Sequence, residues 1–211
     1  MLIKNLATLA GVMAIGVGFA APANAISFIG ETTQNMDGSI DISTGGDAVS
    51  DTGLENFFGL SDGTLNSLLP LPGGSGVNAT EGSAFSEQFE VSVGDILSFD
   101  WEWNSNEDPG TTLFSDFAFG VISSDVEVLA STIDNVNGDT GTFSWVSTID
   151  GLVTFGAGAV DVTDSIFDSV FTVSNLEKTE VPEPSAVLAL VTVAGLAAAS
   201  RRKVKSASSD S

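Results

Sequence analysis

The chemistry this chain could perform is carried by carboxylates. Asp100, Glu107, Asp116, Asp161, Asp164 and Asp168 fall at the ends of predicted strands or in the adjoining loops. Strand ends that converge would offer Ca²⁺ the six to eight oxygens it takes, with the Asn104-Ser105-Asn106-Glu107-Asp108 loop as the leading contributor. The spacing of Asp161, Asp164 and Asp168 is not that of an EF-hand, and a chain this acidic also forms carboxylate clusters by chance. Glu102 and Glu107 would supply the two acids of a glycosidase, yet nothing sets them apart from other surface acids. Trp101 and Trp103 share one side of their strand. Exposed, they would form a sugar-stacking platform; alternating with Asp100 and Glu102, on the side of Leu97 and Phe99, they read more simply as core.

Composition removes other chemistries. The chain has no His and no Cys, which excludes histidine-based triads, histidine–zinc sites and a disulfide framework. Of its six Lys and Arg residues, only Lys178 lies between Ile26 and Glu180, a span holding 26 Asp and Glu. That span carries a net charge near −25 and would repel nucleic acid and anionic membrane surfaces. Divalent cations, neutral sugars or cationic polymers are the partners such a surface admits; a solvated acidic surface with no specific partner is the simpler reading. Asn78-Ala79-Thr80 matches a glycosylation sequon, a pattern of weak specificity.

The elements that would position these residues are mostly strands. Residues 26–46 predict short opening strands around Phe28 and Ile40. A helical insertion is predicted near residues 51–69. Asp51 or Thr52 would cap a turn through Leu54, Phe57, Phe58 and Leu60, and Ser61 or Asp62 a second turn through Leu65, Leu68 and Leu69. From Ala84 the period becomes two. Phe85, Phe89, Val91 and Val93 precede a turn at Gly94-Asp95, and Leu97, Phe99, Trp101 and Trp103 follow it, which reads as a hairpin with one buried face. Further strands are predicted over 116–122, 126–130, 141–148, 152–162 and 167–173. Gly156-Ala157-Gly158 reads as close strand packing, since no helix follows it as phosphate binding would require. Many short strands with Gly and Asp turns predict an all-β fold, an antiparallel sandwich of jelly-roll type.

The two termini carry signals of another kind. Lys4, the apolar run 6–21 and Ala23-Asn24-Ala25 make a signal peptide cut after Ala25. At the far end stand Pro182-Glu183-Pro184, then an uncharged run over 186–199, then Arg201-Arg202-Lys203. The two prolines keep the motif extended. The run is 14 residues long, or about 16 as a helix over 185–200, against roughly 20 for a permanent span. Snorkelling by Arg201 and Arg202 would close part of that gap.

Residues 181–205 resemble a PEP-CTERM sorting signal: motif, apolar helix and basic cluster in that order at the C-terminus. The resemblance implies export, transient anchoring in the inner membrane, and processing near the motif by an exosortase-type enzyme. The cell surface or extracellular polysaccharide is the implied destination. A softer likeness over 54–175 rests on Thr80-Glu81-Gly82-Ser83, Gly94-Asp95-Ile96-Leu97-Ser98-Phe99-Asp100-Trp101 and Asp116-Phe117-Ala118-Phe119. It is similar to exported domains found before this tag, jelly-roll-like and similar in outline to carbohydrate-binding modules. The chain thus divides into a signal peptide (1–25), an exported acidic β-domain (26–180) and a sorting signal (181–211). The expected function is that of a non-catalytic exported protein, or alternatively a sugar-binding module with or without Ca²⁺.

Overall fold

The computed structural model describes residues 25–69, 76–107, 115–134, 137–163 and 167–181. The signal peptide up to Asn24, Asp164, Pro182, Glu183, Pro184 and the segment carrying Arg201 and Arg202 lie outside the described residues. Among the described residues, eleven strands and two helices run in the order β1 (Ser27–Ile29), β2 (Thr32–Gln34), β3 (Ile40–Ser43), β4 (Val49–Ser50), α1 (Asp51–Phe58), α2 (Thr64–Leu68), β5 (Ala79–Val91), β6 (Ile96–Ser105), β7 (Phe117–Ile122), β8 (Asp125–Ser131), β9 (Asp139–Val146), β10 (Gly151–Val162) and β11 (Ser169–Thr179). They form two antiparallel sheets. One has the order β1-β5-β10-β7-β8, with β4 also on β5; the other is β2-β3-β11-β6-β9.

Phenylalanines from both sheets fill the space between them. Phe143 stacks on Phe155 at 5.5 Å between centroids, Phe99 meets Phe155 at 5.4 Å, and Phe85 meets Phe99 edge to face at 6.2 Å. Each such ring contributes roughly 2–3 kcal/mol by leaving water. The sheet containing β5 and β10 is covered on its other side as well. There α1 and α2 bring Leu54, Phe58 and Leu65 onto Ala84, Phe119, Val121 and Val160. This explains the nearly unbroken apolar run of β10, where alternation would otherwise appear. Gly156 and Gly158 belong to that strand, and a methyl at Gly158 would lie 2.5 Å from the Phe119 ring, so these glycines serve close packing.

The helical insertion forms where the sequence places it, with different caps. Ser50, one residue before Asp51, accepts the Gly53 amide at 3.2 Å and caps α1. The second helix has no cap of its own. Its leading amides, Gly63 at 3.0 Å and Leu65 at 2.9 Å, donate to the carboxylate of Glu55, buried on α1. One buried acid thus joins the two helices.

The expected hairpin at Gly94-Asp95 is not one. β5 pairs with β1 and β10, while β6 pairs with β11 and β9 in the opposite sheet. The turn is a corner that carries the chain across the sandwich. Both strands face the same core from opposite sides, so their alternation is that of a hairpin although their hydrogen bonds are not.

Replacing Glu55 by Ala strands two helix amides in a buried place. Urea denaturation is expected to show a loss of about 2 kcal/mol, with Glu81→Ala at a half-buried position of β5 close to wild type.

Candidate functional site

The best-built polar constellation of the domain sits where the C-terminal tail departs. β5 ends at Val91, and Ser92-Val93-Gly94-Asp95 turns the corner with Gly94 at φ +96°, a conformation suited to glycine. Asp95 is buried. Its carboxylate accepts the Ser92 amide at 2.9 Å and the Val181 amide at 3.1 Å, and lies 3.3 Å from Lys178 Nζ. Lys178 also donates to the Glu90 carbonyl at 2.8 Å and to Glu180 Oε1 at 3.1 Å. The Asp95 carbonyl accepts the Ser147 amide at 2.7 Å, and the Ser147 carbonyl accepts the Gly94 amide at 2.8 Å. The single cation of the span 26–180 is therefore placed near the end of β11, shortly before Pro182, and Val181 is fastened to the corner.

The electrostatics agree with the geometry. The Ser92 amide, joined by the Val181 amide and Lys178, holds the Asp95 carboxyl below the ordinary aspartate value against the opposing effect of burial. Burial disfavours the charge on Lys178, but its hydrogen bonds to Glu180 and Asp95 together outweigh that and raise its pKa.

The acids proposed as calcium ligands are distributed differently. Asp116, Asp161, Glu107 and Asp168 come to the opposite end of the sandwich. Asp116, buried before β7, accepts the Val162 amide at 3.2 Å and the Ser169 hydroxyl at 2.6 Å. Ser169 Oγ lies 2.8 Å from Ser105 Oγ, and its amide donates to Thr44 Oγ1 at 2.9 Å. Glu107 donates its amide to Ser105 Oγ at 3.1 Å, and Asn106 reaches the Asp168 carbonyl at 2.9 Å. Asp161 is buried beside Val162, and its carbonyl accepts the Thr80 hydroxyl at 3.2 Å. The ends of β3, β5, β6, β7, β10 and β11 are thus tied by one polar cluster. Among the described residues, no three acidic side chains are grouped so as to hold a metal ion.

Asp100 belongs to neither end. It stands on the outward face of the β2-β3-β11-β6-β9 sheet, accepting Thr142 Oγ1 at 2.7 Å and Asn175 Nδ2 at 2.8 Å, which keep its carboxyl below the ordinary value. Strand register aligns Thr33, Asp41, Thr172, Glu102 and Thr140 in one row across all five strands. A shallow groove of about 350 Å³ lies there, lined by Asp100, Glu102, Thr140, Thr142, Thr172 and Ser174 among others. It offers hydroxyls and carboxylates.

The tryptophans lie on the other face of that sheet. Trp103 is fully buried against Phe171, and its Nε1 has no acceptor among the described residues. Trp101 is half-buried, 6.0 Å from Phe171, with its indole over Gly141, where a methyl would lie 2.5 Å from Cζ2. No exposed pair of rings forms.

The clamp of Asp95, Lys178 and Val181 was not assigned from the sequence. Its signal was present in the isolation of Lys178 among 26 acids. A lone cation in such a span has to neutralise whichever carboxylate the fold buries nearest to it.

No family model matches the chain, and no curated protein does. Among solved structures, the chain is similar to one described as "Family 16 Carbohydrate Binding Module-2", with 14% identity and a TM-score of 0.26, over 49% of this chain and 79% of that one.

Asp95→Asn is expected to lower stability at pH 7 by about 1–3 kcal/mol. Because the folded pKa is depressed, the carboxylate's contribution is complete above the unfolded value of about 3.9 and is lost as pH falls through the folded one. Urea midpoints of wild type and variant, separated at pH 7, should converge towards pH 2.

Proposed function

We propose that this chain is a non-catalytic exported protein, delivered to the cell surface or extracellular polysaccharide by its C-terminal sorting signal. A signal peptide would be removed after Ala25. The run 186–199 would hold the chain transiently in the inner membrane, and an exosortase-type enzyme would process it near Pro182-Glu183-Pro184. The domain would be a jelly roll, for which the strand orders β3-β11-β6-β9 and β5-β10-β7-β8 are the support.

The observation that carries the reading is the fit between fold and processing points. β1 opens at Ser27, two residues beyond Ala25, and Val181 is fastened by Asp95 immediately before Pro182. Cleavage at either point would leave the described hydrogen bonds of the sandwich in place. Intact mass of the protein recovered from a producing cell and its medium is the test. An extracellular chain beginning at Ile26 and ending within 181–184 is the expected result. A membrane-bound chain that keeps Arg201 and Arg202 would sink the proposal.

A second reading is favoured by the groove at Asp100. Preordered hydroxyls and carboxylates on an outward sheet face suit the hydroxyl groups of a neutral polysaccharide. Affinity electrophoresis in gels containing the host's own polysaccharide should retard the wild type, and Asp100→Ala with Thr172→Val should abolish the retardation while the melting curve changes little. Equal mobility of both proteins would end this reading.

A further inference from the structure

Eight large apolar side chains are exposed among the described residues, and five of them crowd one end of the sandwich: Val93 (59% exposed), Val146 (54%), Ile149 (50%), Leu152 (58%) and Val181 (45%). Val93 lies in the β5–β6 corner, Val146 closes β9, Ile149 lies in the β9–β10 turn and Leu152 follows the first residue of β10. Hydrogen bonds bind these segments into one tip. The Val93 amide donates to Asp150 Oδ1 at 2.9 Å, the Gly94 and Ser147 amides bridge the two turns, and Asp95 holds Val181. Val146 and Leu152 point outward from opposite sheets, so the apolar groups girdle the tip instead of forming one flat face.

We propose that this tip is a membrane-docking surface, which dips Val93, Val146, Ile149, Leu152 and Val181 into the lipid interface while the run 186–199 anchors the chain. The proposal rests on the anchoring reading given above and specifies what the domain does while anchored.

The continuation of the chain identifies the occupant. Five Cα steps separate Val181 from Ala186, the first residue of the uncharged run. At full extension they cover no more than about 18 Å. Once that run is inserted, the tip is confined near the interface at an effective concentration that lets weak apolar contacts persist. Acids outnumber bases at the tip, where Asp95, Asp150, Glu180 and Glu90 stand against Lys178. Asp95 and Glu180 both contact Lys178, and Asp150 accepts the Val93 amide. With Glu90 opposite Leu152 on β5, the tip is net acidic and disfavours anionic headgroups, so docking should prefer zwitterionic lipid.

The absence of cysteine lets one introduced thiol carry a unique label. Full-length chains bearing bimane at Ile149→Cys, Phe167→Cys or Leu190→Cys would be reconstituted in phosphatidylcholine vesicles containing lipid spin-labelled at shallow or deep positions. Phe167 is exposed beside β11 at the far end of the domain. The expected result is severalfold stronger shallow quenching at 149 than at 167, with deep quenching at 190, and loss of the 149 signal when Val93→Asp and Leu152→Asp are added. Quenching at 190 with 149 no different from 167 would overturn docking and leave anchoring intact. A 149 label that is blue-shifted but unquenched would overturn it too, because the chain itself would then cover the tip. Absence of quenching at 190 would remove the anchoring reading and docking with it.

Discussion

This domain has to fold with 26 acids and one base. Salt bridges cannot satisfy its carboxylates, so neutral donors must. Asp95 takes the amides of Ser92 and Val181, Glu55 those of Gly63 and Leu65, and Asp116 the Val162 amide and the Ser169 hydroxyl. On the outward sheet face, Asp41 accepts from Asn35 and Thr172, and Asp100 from Thr142 and Asn175. Backbone amides at corners and strand ends lack ladder partners, and a carboxylate is their strongest available acceptor. Acids therefore act here as the pins of turns, and the Ser, Thr and Asn content supplies the donors for those left on the surface.

The same constraint explains why the single lysine matters. A buried carboxylate held only by amides would still lack a counter-charge. At Asp95 the lysine provides one, while two amides fix the geometry that makes such a pair worth its desolvation. Removing Lys178 would leave Asp95 without its counter-charge at the tail exit, whereas removing Asp95 would leave Lys178 only the exposed Glu180.

How much of this was legible in the sequence depends on what periodicity encodes. Alternation through Phe85–Val91 and Leu97–Trp103 correctly marks the buried side of each strand, but it carries nothing about which strand is the neighbour, so a crossing corner passed for a hairpin. In β11 the predicted end at Val173 fell six residues short. Asn175 sits at φ +52° and the register slips between Ser174 and Glu177, so the period of two breaks just where the strand continues. The acids at the polar end were recognisable as strand-end residues, whereas the hydroxyls tied to them, Ser169 and through it Ser105 and Thr44, come from distant parts of the chain and leave no spacing to read. Trp103 was legible as core because its neighbours on the same side are apolar. The packing of the Trp101 indole over Gly141 is invisible without the register.

The two ends of the sandwich are chemically unlike, and the difference follows from what each must do. One end closes six strand ends with a buried polar cluster. The other is tied by the corner at Asp95 yet leaves apolar side chains in water, an arrangement that costs solubility without helping the core. Val181 is the last described residue whose amide joins this corner, and Pro182, which has no N–H, biases it towards extended backbone. The last described residue before the motif is therefore held at the apolar end. Apolar exposure at the exit of an apolar tail is the arrangement a bilayer would complete, and a freely diffusing acidic domain would gain nothing from it.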